Sequence, residues 1–346
     1  MKRLKQLCSA RAGVTLVTLL LVTSGLAAAP GYHLIKTYKL SGDGGWDYLT
    51  LDRTSNRLYI SRSTHVIVIN PDSGEPVGDI PDTPGVHGIA LAPEFGRGFI
   101  SNGGEGTMGV FDLTSLKVLS KIKVGDNPDA ILYDPASKRV FTFNGRSHDA
   151  TAIDAAKGMV VATIKLGGKP EFAVSDEKGE IFVNLEDKSE LLAVDPIKLE
   201  IKSRWPLAPC EEPTGLAIDR KHRRLFSGCG NKLMAIVDAD NGKVISTLPI
   251  GQGVDATAFD PETGLAFASC GEGVLTVVHE DSADKFSVAE NVPTERGART
   301  MALDPAKHQI FVVTAKFGPP PAPTAEQPHP RPAILPGSFE VLLVGK

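Results

Sequence analysis

Seven stretches of this chain open alike, and their spacing leaves few folds available. They begin at Trp46, Val86, Pro128, Pro170, Pro213, Val254 and Ala298 and read WDYLTLD, VHGIALA, PDAILYD, PEFAVSD, PTGLAID, VDATAFD and ARTMALD. Six end in Asp, namely Asp52, Asp134, Asp176, Asp219, Asp260 and Asp304; the second has Ala92 instead. Successive starts lie 40, 42, 42, 43, 41 and 44 residues apart. A unit repeated this regularly cannot bury its apolar face alone, so neighbouring units must stack.

Each unit reads as four short strands. The opening phrase is followed by a second apolar run: RLYIS, RGFIS, RVFTF, EIFVN, RLFSG, LAFAS and QIFVV. A third run such as MGVFD or MAIVD leads through a Gly-containing turn into a fourth, such as KVLSKIKVG. β-branched and aromatic residues between Gly, Asp, Asn and Pro clusters are a strand pattern, and helical stripes are missing. Four strands over this period predict an all-β fold, a seven-bladed β-propeller. The last unit ends after its third strand. The segment Tyr32–Leu40, YHLIKTYKL, has the fourth-strand pattern and precedes the first unit. The N-terminal strand is therefore expected to close the last blade, removing the sheet edges that invite aggregation.

Residues 1–29 stand outside the repeat. Lys2, Arg3, Lys5 and Arg11 precede an apolar run from Val14 to Leu26, and Ala27, Ala28 and Ala29 follow. That layout predicts a cleaved signal peptide, with the propeller over 30–346. The product is expected to be periplasmic or secreted, with no membrane span after cleavage and as a monomer. The whole chain has 37 Lys+Arg against 41 Asp+Glu; without those four basic residues it has 33 against 41, a net charge of −8. With no basic stripe either, nucleic acid is a poor fit as a partner.

Phrases such as VVATIKLGGKPE and KVISTLPIGQGVD, with third strands ending in Asp, resemble the YVTN-repeat, YncE-like propeller family over residues 32–346. The resemblance implies the same fold and export, and says little about function. A WD dipeptide occurs once, at Trp46-Asp47, and does not recur from unit to unit; the kelch double-glycine signature and the repeated Trp of the quinone-dependent dehydrogenase propellers are missing.

First strands line the channel of a propeller, so the second residue of each unit should meet the others at one mouth. Those residues are Asp47, His87, Asp129, Glu171, Thr214, Asp255 and Arg299. Asn102, Asn144 and Asn184 end second strands and are expected beside them. The candidate ligand site is thus His87, Asn102, Asp129, Asn144, Glu171, Asn184, Asp255 and Arg299. Within it His87, Asp129, Glu171 and Asp255 could hold a metal, since carboxylates with amide oxygens suit a divalent cation such as Ca²⁺ or Mg²⁺ and His87 also admits Zn²⁺ or Mn²⁺. The bland alternative is a merely hydrated opening.

Other motifs carry less. Asp238-Ala239-Asp240-Asn241-Gly242 resembles the start of a Ca²⁺ loop but falls where a hairpin turn is expected. The remaining histidines, His222 and His308 among them, share no spacing and read as surface or strand-edge residues. Cleavage removes Cys8 and leaves Cys210, Cys229 and Cys270. Cys210 precedes, and Cys229 ends, adjacent antiparallel strands of the fifth unit, so a Cys210–Cys229 disulfide is expected, with Cys270 free. Residues 317–337 contain eight prolines and should form an extended insertion on the mouth side of the last blade. No nucleophile–base pair or redox motif is recognisable. The leading reading is a module binding a small polar ligand or a periplasmic protein partner. The alternatives are a metal-assisted hydrolase or lactonase, and an electron-transfer accessory.

Overall fold

The structure, a computed structural model, describes residues 31–42, 44–322, 330 and 332–346. The expected signal segment and the middle of the Pro-rich insertion lie outside the described residues. Seven four-stranded antiparallel sheets form the blades of the propeller. The first strands of blades 1 to 7 are Leu49–Asp52, Val86–Ala92, Pro128–Asp134, Pro170–Ser175, Pro213–Asp219, Val254–Asp260 and Met301–Asp304. Blade 7 is completed from the other end of the chain: His33–Lys39 pairs antiparallel with Glu340–Gly345, with Tyr38 opposite Val341.

The core is a ring of layers between blades. Apolar clusters of the described residues each join one blade to the next, as where Phe141 and Val183 bridge blades 3 and 4 and Phe99 and Val140 bridge blades 2 and 3. Second strands are sandwiched on both faces, which is why they read as unbroken apolar runs. Each carries one aromatic at the same register point: Tyr59, Phe99, Phe141, Phe182, Phe226, Phe267 and Phe311, none more than 1% exposed. Fourth strands alternate, as in Glu200–Pro206, because their outer face meets water.

The recurrent Asp has a local cause. In the turn after the first strand its carboxylate accepts a backbone N–H two or three residues on: Thr54 to Asp52, Ser137 to Asp134, Lys178 to Asp176, Lys221 to Asp219, Glu262 to Asp260 and Ala306 to Asp304, at 2.8–3.2 Å. Blade 2, with Ala92, uses a one-turn 3-10 helix, Pro93–Phe95, ended by Gly96 in the left-handed region. The Asp238–Gly242 segment is the hairpin turn it was expected to be: Asp238 accepts from the N–H of Asp240 and Asn241 from that of Lys243, each at 2.9 Å. Cys210 and Cys229 form a disulfide with Cα atoms 5.8 Å apart, and Cys270 is free and buried. Among the described residues no helix is long and apolar enough to cross a membrane.

Candidate functional site

At the third position of the units, blade 1 has Tyr48 and blade 4 has Phe172; the other blades have Gly88, Ala130, Gly215, Ala256 and Thr300. Blades 1 and 4 face each other across the ring, yet the two rings stack with centroids 5.3 Å apart and planes 24° from parallel. They must therefore cross the axis. Two of the small third residues let adjacent first strands approach closely: a Cβ on Gly88 would lie 2.8 Å from Ile131 of blade 3, and one on Gly215 2.6 Å from the Thr257 nitrogen of blade 6. Tyr48 and Phe172 thus make an aromatic floor beneath the second-position ring.

Above that floor is a cup of about 410 Å³ lined by Asp47, His87, Asp129, Lys169, Glu171, Glu186, Thr214, Asp255 and Arg299. His87 Nδ1 donates to Asp47 Oδ2 at 2.6 Å and lies 3.7 Å from Asp129 Oδ1. Lys169, in the loop before blade 4, pairs with Glu171 at 2.5 Å and also with Glu186. Arg299 Nε lies 3.5 Å from Asp255 Oδ2.

The cup shifts its own titrations. Burial alone would lower the His87 pKa, but the Asp47 bond and the Asp129 and Glu171 charges raise it to about 9, so it is an imidazolium at neutral pH. Burial pushes Asp129 up to about 6, with Asp47 adding repulsion against the attraction of His87. Asp255 is likewise raised to about 6 by burial, against the pull of Arg299. Burial and then the Asp129 charge raise Glu171 to about 8. The Tyr48 hydroxyl is raised well above its ordinary value by burial and the carboxylates above it. The wall therefore holds more acid groups than it can ionise together at neutral pH.

A stability consequence follows. With a folded value near 8 against an ordinary 4.5, Glu171 binds its proton more tightly in the folded chain. Stability linked to it is present at low pH and declines as pH rises toward 8. Glu171→Gln should raise folding stability at pH 8 by on the order of 2 kcal/mol, with water still reaching the cup, and change it little at pH 5. Thermal unfolding at the two pH values checks this. A variant that loses more stability at pH 8 than at pH 5 contradicts it.

The structure brings His87, Asp129, Glu171, Asp255 and Arg299 together as expected, with Asp47 joining them. It does not bring the asparagines there. Asn102, Asn144 and Asn184 are fully buried. Their amides turn into the blades, to Thr107 at 3.2 Å, to Asp149 and Thr151 at 2.8 and 3.0 Å, and to the Thr214 carbonyl at 2.9 Å. Register fixed their depth but not their direction. Lys169, Glu186, Tyr48 and Phe172 were missed. Only the last two left a signal, as the bulky exceptions among small third residues.

The described ends of the Pro-rich insertion reach the mouth. Phe317 and Ile334 form a bridge, with Gly318 N–H bonded to the Ala333 carbonyl at 2.8 Å. With Trp46 and Pro332 they line an outer vestibule of about 660 Å³, which shares Glu186, Thr214, Asp255 and Arg299 with the cup. The site therefore has a charged well and a partly apolar rim.

No protein-family model and no curated protein matches the chain. Among solved structures, that of U3-55K superposes with a TM-score of 0.72 at 10% sequence identity, over 90% of this chain and 99% of that one. At that identity the likeness is one of fold.

Proposed function

We propose that this chain is an exported propeller that works as a binding module through the charged well, taking a small polar ligand or a polar group of a periplasmic partner protein. One observation carries the reading. Asp47, Asp129, Glu171, Glu186 and Asp255 share the well with three cationic groups, His87, Lys169 and Arg299. Buried acids in excess of their counterions favour a guest with ammonium or hydroxyl donors, or a divalent cation. The Trp46, Phe317 and Ile334 rim gives such a guest an apolar contact. Export, and kinship with the YVTN-type, YncE-like propellers, belong to the same proposal. The terminal layout, the repeat phrases and the disulfide support them.

The test is calorimetric titration of the purified mature chain with putrescine, glucose, Ca²⁺ and Zn²⁺. At least one should bind saturably, and Asp129→Asn and Glu171→Gln should each weaken it tenfold or more with the fold intact. No binding by any probe, or binding untouched by both variants, makes the well a hydrated opening. The search then moves to the outer rim. A second reading, metal-assisted ester or lactone hydrolysis, rests on Asp47, His87 and Asp129, whose ligand atoms lie within 4.8 Å of one another. Chelator-sensitive hydrolysis of γ-butyrolactone or p-nitrophenyl acetate would favour it; turnover unaffected by chelator would remove it.

A further inference from the structure

The face opposite the mouth carries a second cluster, between blades 5 and 6. Asp219 ends the first strand of blade 5 and is 2% exposed. Its carboxylate is held from behind: Oδ1 accepts the N–H of Lys221 at 2.9 Å and Oδ2 that of His222 at 3.1 Å. Glu280, near the end of the third strand of blade 6, Val274–Ser282, is 8% exposed. The His222 ring lies between them. Its Nδ1 is 2.7 Å from Asp219 Oδ2 and 2.8 Å from Glu280 Oε1, and its side chain is 37% exposed.

Two features separate this cluster from an ordinary Asp–His clasp. First, Glu280 Oε2 is buried and has no hydrogen-bond partner. An orphaned carboxylate oxygen at this depth is costly. Second, two buried carboxyl groups share one ring nitrogen. In two other units the terminal Asp is matched by arginine, Arg53–Asp304 and Arg223–Asp176, and in a third the buried Asp134 accepts from the Ser175 hydroxyl. Between blades 6 and 7, His308 meets Asp260 at 2.6 Å, and the other acid near it, Glu262, is 73% exposed. Among the described residues, the ion pairs of Asp219 and Glu280 are with His222 alone. A single Nδ1 proton cannot point squarely at both oxygens.

We propose that Asp219, His222 and Glu280 bind a divalent transition-metal ion of the zinc or manganese kind, which clasps blade 5 to blade 6. The three ligand groups lie within 4.8 Å of one another. One imidazole nitrogen with two carboxylates suits Zn²⁺ or Mn²⁺, whereas Ca²⁺ prefers six or more oxygens. The ion takes the place of the Nδ1 proton, which leaves to solvent. Metal–ligand bonds of about 2.0–2.2 Å need the imidazole to withdraw by about half an ångström, and its exposed ring has room to do so. The orphaned Oε2 gains a partner, and the backbone bonds to Asp219 orient the ligand as outer-shell contacts do. Coordination positions facing solvent remain open beside the ring.

The test uses the full mature chain, stripped with chelator and titrated with Zn²⁺ and with Mn²⁺ by calorimetry, with unfolding temperature followed in parallel. One equivalent of at least one ion should bind and raise the unfolding temperature. His222→Ala, on a partly exposed ring, and Glu280→Gln, which keeps shape, should each weaken that binding at least tenfold and cancel the rise. His87→Ala, in the charged well, should keep both effects. Two equivalents, one lost with His87→Ala and the other with His222→Ala, would support the site equally. Absence of binding by both ions overturns it, as does binding that His87→Ala abolishes and His222→Ala leaves. If Glu280→Gln fails to fold, His222→Ala decides alone.

Discussion

A chain lacking residues 31–40 is expected not to hold the closed ring: it should unfold at much lower urea concentration, or self-associate through the freed edge of Glu340–Gly345. The strand does more than pair. The Tyr38 hydroxyl donates to the carbonyls of Pro71 and Asp72 at 3.1 and 3.0 Å, and its ring lies on the backbone of Gly74. That ties blade 7 to blade 1. At the other end Tyr32 meets Phe267 edge-on at 5.2 Å, and its N–H donates to Glu290 at 2.9 Å, tying blade 7 to blade 6. Tyr32, Tyr38 and Leu40 are no more than 5% exposed. At about 1.5–3 kcal/mol for each such side chain, their loss alone approaches the ~5–15 kcal/mol that holds a typical domain folded. Gly74, at φ +81, leaves a Cβ only 2.1 Å from the Tyr38 ring, so the turn and the closing strand are fitted to each other. Urea unfolding with size-exclusion chromatography decides the matter. A truncated chain as stable and monomeric as the full one would refute the closure argument.

What the sequence made legible was whatever the repeat enforces. The period, the four-strand unit and the second-position ring all come from equivalent residues meeting equivalent surroundings, which is why the repeat alone places His87, Asp129, Glu171, Asp255 and Arg299 at one mouth. The same reasoning overreached at Asn102, Asn144 and Asn184. A shared register places three side chains at one depth in their blades, but strand twist and local partners decide where each points, and these three point inward. Departures from the repeat were the harder part. Tyr48 and Phe172 close the axis because they break the pattern of small third residues. Lys169 and Glu186 come from loops whose lengths vary between units. Glu280 sits in a blade 6 outer hairpin of two nine-residue strands, longer than the others, and no periodic argument reaches it. The recurrent Asp has its cause in the turn that follows the first strand, where its carboxylate accepts backbone N–H groups.

Counting thiols on the denatured, unreduced product should give a single number that reports on pairing and processing together. Cys210 and Cys229 close a loop of sequence separation 19, and both are buried among Leu207, Leu216 and Leu225 between blades 4 and 5. A cross-link over a loop of that length restricts the unfolded chain by about 3 kcal/mol in the chain-entropy account. Replacing both cysteines by alanine should lower folding stability by about that amount, with a fall of several degrees in unfolding temperature. The burial of the bridge means that reductant should act on it only as the surrounding layer opens. Cys270 is the remaining thiol; burial pushes it up to about 12, so it should stay silent to thiol reagents until the chain is denatured. One thiol after denaturation means a formed bridge and a removed segment 1–29. Two means that the bridge has formed but Cys8, and with it the N-terminal segment, is still attached. Three in the mature exported chain would remove the disulfide, and with it one of the physical arguments that this propeller works in an oxidising compartment.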